Sequence, residues 1–343
     1  MFQLSEREKI ILRDVIHQFI ITASPVGSRN LSKKSNLNLS AATIRNIMSD
    51  LEENGLLKHP HTSAGRVPTD NGYRFYVDSL MVPVNLDDVQ KNLIANVLVN
   101  NSEETNDILK LTASVLSKIT NQLACVTYPN LRQAKLEKIR ILSLSTNRIL
   151  VVVAVQSGLV KTITLELNAE INEKKLSSVE QILNEKLSGL DFSEIRKTFA
   201  ERLKNYEPEY TPVIRVFLDS IDKVFTDEKG IEKIYVAGIK NIVKQPEFED
   251  HTQFQSVIEL IEDEDVIIHF LETKNFEDKD VYISIGKENQ NKLFTKYSLI
   301  AKKYNISNIN GTIGIIGPKR MQYNKSIAAI IYIADLLSKE LKK

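Results

Sequence analysis

Side chains that can bind a polyanion are concentrated between Gly27 and Thr69. This segment contains six basic residues against three acidic ones, whereas the whole chain of 343 residues has a formal net charge of only +1 at pH 7. A basic segment within a balanced chain is a weak electrostatic signature of phosphate binding, because it concentrates positive potential on one part of the surface. An ordinary mixed surface gives the same count, so the positions of the side chains carry more weight.

The stretch that follows Ser40 predicts an amphipathic helix ending near Asn54. At about 100° per residue the apolar side chains fall on one side, which must face a core. These are Ile44, Ile47, Met48 and Leu51. The opposite side carries Ala42, Asn46 and Ser49, with Arg45 on its flank. A small, polar and basic outer face is typical of a helix that reads a DNA groove, although an ordinary surface helix also presents such residues.

Each outward residue on this helix has a specific partner on duplex DNA. Ala42 lets the backbone approach the floor of the major groove, Arg45 can pair with guanine O6 and N7, and Asn46 can pair with adenine N6 and N7. Ser40 and Thr43 stand at the helix start, where free N–H groups and the helix dipole favour a phosphate oxygen. Together they predict a recognition helix.

A short helix before this one would extend the surface. Arg29 and Lys33 fall on that helix, which in a helix-turn-helix crosses the sugar-phosphate backbone. A solvated surface is the alternative for each of these side chains.

The segment "HTSAGRVPTDNGYRFYVD" (residues 61–78) begins with a loop that has the composition of a wing. Thr62, Ser63 and Arg66 supply two hydroxyls and a cation for a phosphate or a minor groove. Gly65 permits a close backbone approach. The aromatic residues that follow are interpreted as packing residues.

These candidate residues require a winged helix-turn-helix to position them. The apolar spacing after Ser5 predicts a first helix, and shorter helices start at Ser28 and Ser40 with a tight turn between them. A strand at Leu56–Leu57 leads into the wing. Asp70 is expected to cap a fourth helix.

Beyond the wing the pattern predicts a sheet domain carrying an insertion. A helix from about Glu103 to Cys125 precedes three alternating strands, "KIRILSLS", "RILVVVAVQ" and "LVKTITLEL", joined by short turns. Helical patterns dominate residues 172–272, and strands return at Val281–Gly286 and Gly311–Gly317. Because strands stand on both sides of the helical block, we expect one sheet with an insertion.

Several kinds of chemistry have no signal in the sequence. The single cysteine, Cys125, has no partner for a disulfide, and no cysteine or carboxylate lies at ligand spacing from His59 and His61. The glycines of "GTIGIIG" do not follow a phosphate-loop pattern. We therefore expect no enzymatic activity, no metal and no cofactor. The lack of a long apolar run or a signal peptide favours a cytoplasmic protein without membrane contact.

Segments at both ends of the chain resemble one protein family. The segments "PVGSRNLS", "LSAATIRNIMSDLEENGLL" and residues 61–78 look like the N-terminal domain of the HrcA family, the heat-inducible transcription repressors of bacteria. The motifs "QPEFED" (Gln245–Asp250), "IGKENQN" (Ile285–Asn291) and "GTIGIIGPKRMQYNKSI" (Gly311–Ile327) are similar to its C-terminal motifs. The wing motif and "GPKRMQY" together are specific to this family. Residues 85–240 match the family weakly and contribute little to the resemblance.

This resemblance implies a repressor of chaperone operons. It implies a homodimer that binds an inverted-repeat operator in double-stranded DNA, with activity that depends on the chaperonin. The implied fold is α+β and multidomain, with a winged helix-turn-helix domain (residues 1–83), a GAF-like α/β domain with an antiparallel sheet (84–171 and 273–343) and an inserted dimerising domain (172–272).

A second interpretation is a ligand-sensing regulator whose GAF-like domain does the biochemical work while its winged helix binds a protein. Salt distinguishes the two, because DNA affinity based on phosphate contacts falls steeply as salt rises.

Overall fold

The structure is a computed structural model that describes residues 3–34, 39–60, 65–100, 105–167, 172–204, 210–225, 234–248, 280–307 and 309–340, with isolated residues between 255 and 271. Within these ranges, no helix combines the length and apolarity needed to cross a bilayer.

Three helices and a two-stranded hairpin form the N-terminal unit. Helix α1 is Glu6–Thr22, α2 is Ser28–Lys34 and α3 is Ala41–Glu53. Strands β1 (Leu57–Lys58) and β2 (Val67–Pro68) pair antiparallel. The sequence-based helices are confirmed, including the capping box in which Ser5 and Glu8 satisfy each other's backbone N–H groups. This is the order of elements of a winged helix-turn-helix.

The fourth helix was placed correctly but its cap was not. Helix α4 (Asp70–Phe75) continues as a π-helical turn, Tyr76–Leu80. The cap is Thr69, whose side-chain oxygen accepts a hydrogen bond from Gly72 N at 3.1 Å. Asp70 is therefore free to point elsewhere, and its carboxylate makes contacts outside the N-terminal unit.

The predicted helix through Cys125 was wrong in its C-terminal end. Helix α5 is Asp88–Asn100 and α6 is Thr105–Thr120. Asn121 adopts a left-handed conformation (φ 55°) that ends α6, and strand β3 (Leu123–Thr127) follows, buried throughout. A short apolar run after a helix cannot be assigned by periodicity alone, because buried helix and buried strand look alike. Burial raises the pKa of the Cys125 thiol to about 12, so the thiol stays protonated at neutral pH.

A five-stranded antiparallel sheet forms the centre of the molecule. Its order is β7 (Ile234–Ala237), β3, β10 (Ile309–Pro318), β9 (Tyr297–Ile306) and β8 (Tyr282–Ile285). Helices α6 and α12 (Tyr323–Glu340) pack on it, and α11 (Ile239–Val243) follows β7. Strands distant in the sequence are neighbours here, since Val126 pairs with Ile313.

The three alternating strands form a separate sheet. Strands β4 (Leu136–Ser145), β5 (Arg148–Val155) and β6 (Val160–Glu166) make an antiparallel meander in the order predicted from the short turns. The expectation that they share one sheet with the later strands was wrong. Alternation identifies a strand and its turn, but it carries no information about the partner beyond the meander.

Four helices accompany the meander. They are α7 (Glu173–Leu187), α8 (Phe192–Arg202), α9 (Thr211–Asp219) and α10 (Ile221–Phe225). Helix α7 covers the open edge of β4: Asn184 Oδ1 accepts from Ile139 N at 2.7 Å, and Glu180 Oε2 accepts from Ile141 N at 2.9 Å. These bonds satisfy edge donors that would otherwise invite pairing with another chain. The described residues of 136–167, 172–204 and 210–225 thus group around one sheet. A predicted helix at residues 254–271 lies largely outside the described residues.

Candidate nucleic-acid interface

Helix α3 presents the outward face that its sequence predicts. Ile44, Met48 and Leu51 are buried against the rest of the N-terminal unit. Ala42, Arg45 and Asn46 are exposed, and Ser49 is half-buried. The apolar face therefore fixes which side chains the helix offers to solvent, and the small, basic and amide side chains predicted to read bases are on that side.

The start of α3 combines capping with exposure. Ser40 Oγ accepts a hydrogen bond from Thr43 N at 3.1 Å and lies 2.9 Å from Thr43 Oγ1. Both residues remain exposed. Ser40 is the N-cap of α3, which confirms the prediction that the helix starts after this residue. On the preceding helix, Arg29 and Lys33 are also exposed, so α2 adds two cations near α3.

The predicted wing is only partly described. Thr62 and Ser63 lie outside the described residues. Gly65 is needed for packing, because a Cβ there would lie 2.2 Å from the Val26 carbonyl oxygen. The chain is held at this point by Val26 N donating to Arg66 O and Arg66 N donating to Val26 O, each at 2.9 Å. Close approach to the backbone of Val26 and Gly27, just before α2, explains this glycine without a phosphate.

Arg66 turns inward at the base of the wing. Only 13% of its side chain is exposed, and its Nη2 lies 2.8 Å from Glu52 Oε2. His59 completes the group, because its Nδ1 lies 3.1 Å from Glu52 Oε1 and its Nε2 is hydrogen-bonded to the Arg66 guanidinium. The cluster ties the wing to α3. Sequence reasoning missed Glu52 and His59, which stand far from Arg66 in the chain. Within the described ranges, no group of three or more His, Cys, Asp or Glu side chains suits a metal ion.

A second polar cluster joins the N-terminal unit to the central sheet. Arg74 Nε donates to Glu288 Oε1 at 2.8 Å, and its Nη2 donates to the Ile283 carbonyl at 2.9 Å. The hydrogen bond to Glu288 raises the pKa of Arg74 further above its usual value, so the guanidinium stays charged. Arg74 also lies 3.2 Å from Asp78 on its own helix.

Asp70 and Arg320 extend this contact. Asp70 accepts from Lys319 Nζ at 2.6 Å and from Lys287 N at 3.0 Å. Arg320 Nε donates to Glu247 Oε1 at 2.6 Å, and its Nη1 donates to the Ile20 carbonyl at the end of α1, also at 2.6 Å. We call the six residues Asp70, Arg74, Glu247, Glu288, Lys319 and Arg320 the docking cluster. It fixes the orientation of the N-terminal unit on the sheet.

The comparisons with known proteins bear on the whole chain. The profile of the HrcA protein C-terminal domain matches residues 106–327. Two proteins named heat-inducible transcription repressor HrcA align over 98% of this chain and 98% of their own length. The one from Chlorobium phaeobacteroides (strain BS1) is 39% identical over 347 residues, and the one from Chlorobaculum tepidum is 38% identical over 352 residues. The chain belongs to the HrcA family of heat-inducible transcription repressors.

A solved structure shares the fold of this HrcA-family chain. The crystal structure of a hypothetical protein at 2.2 Å resolution is 23% identical, covers 99% of both chains and superposes with a TM-score of 0.67. The HrcA motifs that appear scattered in the sequence meet in space. The docking cluster draws on "QPEFED", "IGKENQN", "GPKRMQY" and the end of the wing segment. Sequence reasoning quoted these segments without assigning them a role, and only the contact between them reveals it.

The docking cluster depends on Gly286, which gives a first prediction. Gly286 has φ +58°, and a Cβ there would lie 2.2 Å from Asp70 Oδ2. Gly158 also has positive φ (+83°), but nothing lies within 4 Å of its Cβ position. Both alanine variants suffer backbone strain, and only Gly286→Ala also overpacks the contact, by about 1–3 kcal/mol.

Calorimetry and limited proteolysis would measure this difference. We expect a lower Tm for Gly286→Ala than for Gly158→Ala, with faster cleavage in the extended segment from Met81 to Asp87 that leaves the N-terminal unit. Equal losses of Tm in the two variants would contradict the role of the contact.

Proposed function

We propose that this HrcA-family chain represses chaperone operons by binding an inverted-repeat operator through α3. The observation that carries the proposal is the outer face of α3, where Ala42, Arg45 and Asn46 are exposed opposite the buried side chains of Ile44, Met48 and Leu51. Arg45 and Asn46 are the side chains for base recognition, and Ala42 allows the helix to enter the major groove. The protein acts in the cytoplasm as a regulator and not as an enzyme.

The surrounding residues have positioning roles. Arg29 and Lys33, which lie on α2, bind DNA phosphates. The hydroxyls of Ser40, Thr43 and Ser49 contact the sugar-phosphate backbone and so help to set the register of α3 on the DNA. The hydroxyls of Thr62 and Ser63 are proposed to contact a phosphate or the minor groove. Gly65 and Arg66 act at the base of the wing, where the pairing of Arg66 with Glu52 supports its placement as a brace and not as a phosphate ligand.

Alanine variants of Arg45 and Arg29 are expected to change DNA binding in different ways. Arg45→Ala should reduce discrimination between an operator duplex and a scrambled duplex by about 1–3 kcal/mol, because a bidentate base contact is lost. Arg29→Ala should weaken binding to both duplexes and lower the salt slope by about one, because a phosphate contact is lost. Fluorescence anisotropy at several salt concentrations would measure both effects.

Arg132→Ala is a matched control, since Arg132 is an exposed arginine in the short turn between β3 and β4, outside both the N-terminal unit and the second sheet. It should bind like the parent chain. Operator affinity that did not change with salt, in the parent and all variants, would instead favour a winged helix that binds a protein.

We further propose that the chain is a homodimer joined through the second sheet. Leu142 and Leu144 stand on the outer face of β4 with 52% and 54% of their surface exposed, and Val160 on β6 is 55% exposed. Large apolar side chains that are this exposed on one sheet are typical of an interface. A two-fold axis through this face would match the symmetry of an inverted repeat. In this layout the dimerising insertion comprises residues 136–225, and the five-stranded sheet belongs to the GAF-like domain.

The dimer contact can be tested by charge substitution. Leu142→Asp combined with Leu144→Asp should weaken the dimer at least about a hundredfold, since each buried leucine contributes about 1.5–3 kcal/mol and the symmetry doubles every change. Val89→Asp is the control, because Val89 is 78% exposed on α5, outside the insertion. Sedimentation velocity should show a monomer for the double variant and a dimer for the control. A dimer in both cases would refute the assigned face.

Dependence on the chaperonin follows from the same architecture. Strand β3 must find β7 and β10, its partners on both sides, across the whole insertion. Pairing of distant segments is slow and leaves apolar strands exposed, which favours aggregation. We expect added chaperonin and ATP to raise the yield of operator-binding protein after dilution from denaturant. A yield that is indifferent to chaperonin would contradict this part of the proposal.

A further inference from the structure

A cleft lies between the N-terminal unit and the central sheet, beside the docking cluster. Its volume is about 710 Å³. One wall contains Phe19, Lys58 and Tyr73 of the N-terminal unit, and the opposite wall contains Phe248 and Lys296. Pockets that hold small molecules span roughly 300–1,000 Å³ and combine apolar walls with a few polar groups. The cleft has this size and this composition.

The charge of the cleft is unbalanced towards the positive. Five basic and three acidic residues are among its described lining residues. All three carboxylates are already bound, Asp70 by Lys319, Glu247 by Arg320 and Glu288 by Arg74. Lys58, Lys287 and Lys296 are exposed lining residues. Their ammonium groups have no ion pair or hydrogen bond to the part of the chain that the structure describes. The uncompensated charge of the lining is therefore cationic.

Tyr73 provides an independent indication of a missing partner. The residue is 3% exposed and lines the cleft. Its hydroxyl is buried and has no hydrogen-bond partner within the described residues. Buried hydroxyls almost always have a partner, so this one calls for an acceptor. Burial raises the pKa of Tyr73 well above its usual value, and the hydroxyl therefore remains a donor at neutral pH.

We propose that this cleft binds a small aromatic anion, a planar ring that bears a phosphate, sulfonate or carboxylate group. The anionic group is attracted by Lys287 and Lys296, and in the bound state it accepts a hydrogen bond from the Tyr73 hydroxyl, which is closed to solvent in this structure. The ring packs against Phe19 and Phe248. The three features point to the same ligand, because the cations select its charge, the hydroxyl requires an acceptor, and the aromatic walls favour a ring.

Such a ligand would act on the orientation of the DNA-binding unit. It contacts both walls, and Lys58 belongs to the hairpin that carries the wing. A ligand that binds one orientation better than others shifts the equilibrium towards it. Operator affinity and ligand affinity must then change by the same factor. This coupling rests on the proposed DNA-binding function, whereas the binding site itself does not.

The probe for the site is 8-anilinonaphthalene-1-sulfonate, an aromatic sulfonate whose fluorescence rises in apolar surroundings. The parent chain should bind it with saturation at one site per protomer. Lys287→Gln combined with Lys296→Gln should weaken this binding about tenfold or more, which corresponds to about 1.4 kcal/mol. Lys138→Gln, an exposed lysine of β4 far from the cleft, should bind like the parent.

Tyr73→Phe separates a binding role from a structural one. The variant keeps the ring and removes an unpartnered hydroxyl, so its Tm should equal or exceed that of the parent while its affinity for the probe falls severalfold. A lower Tm with unchanged affinity would show that the hydroxyl serves the fold. Equal affinity of the parent, the lysine double variant and Tyr73→Phe would overturn the site.

The coupling has its own readout. Saturating probe should shift the operator Kd by the factor by which operator shifts the probe Kd. If the probe binds as expected and the operator Kd stays constant, the coupling is refuted and the site stands. If the chain binds no operator at all, the proposed function fails, and the fluorescence titrations still decide the cleft.

Discussion

The contact between Arg74 and Glu288 is the constraint on which the functional arrangement depends. It is the centre of the docking cluster, which holds α4 against β8 and the turn after it. Because only 25% of the Arg74 side chain is exposed, losing Glu288 would leave its guanidinium with Asp78 and the Ile283 carbonyl as its remaining partners. This contact therefore helps to set the orientation of α3 relative to the insertion. A dimeric reader of two half-sites needs such a fixed orientation, since an inverted repeat has one spacing.

Local patterns predicted the outward face of α3, and they could do so for a physical reason. The burial of Ile44, Met48 and Leu51 is decided within α3 by its own period, so the exposure of Arg45 and Asn46 follows directly. Arg66 shows the opposite case. Its composition suggested a free cation, but Glu52 lies on another element and captures it. Side chains whose partners are distant in the sequence cannot be placed from spacing alone.

The sheets illustrate the same limit at a larger scale. The meander β4–β6 was predictable because each turn joins neighbouring strands. The assignment of β3 to a sheet with β7 and β10 was not, because those partners lie on the other side of the insertion. For the same reason the docking cluster could not be predicted, although each of the motifs that build it was visible in the chain.

The position of the insertion has an architectural consequence. Thr127, where the chain leaves the central sheet, pairs directly with Ile234, where it returns. In the topology of the sheet, the insertion between β3 and β7 is therefore the loop of a β-hairpin, whatever its length. The module can therefore grow, shrink or be exchanged while the strands around it keep their register, and a tight turn could in principle close the gap. In the proposed function, oligomerisation and operator binding belong to separate parts of the chain that share this framework.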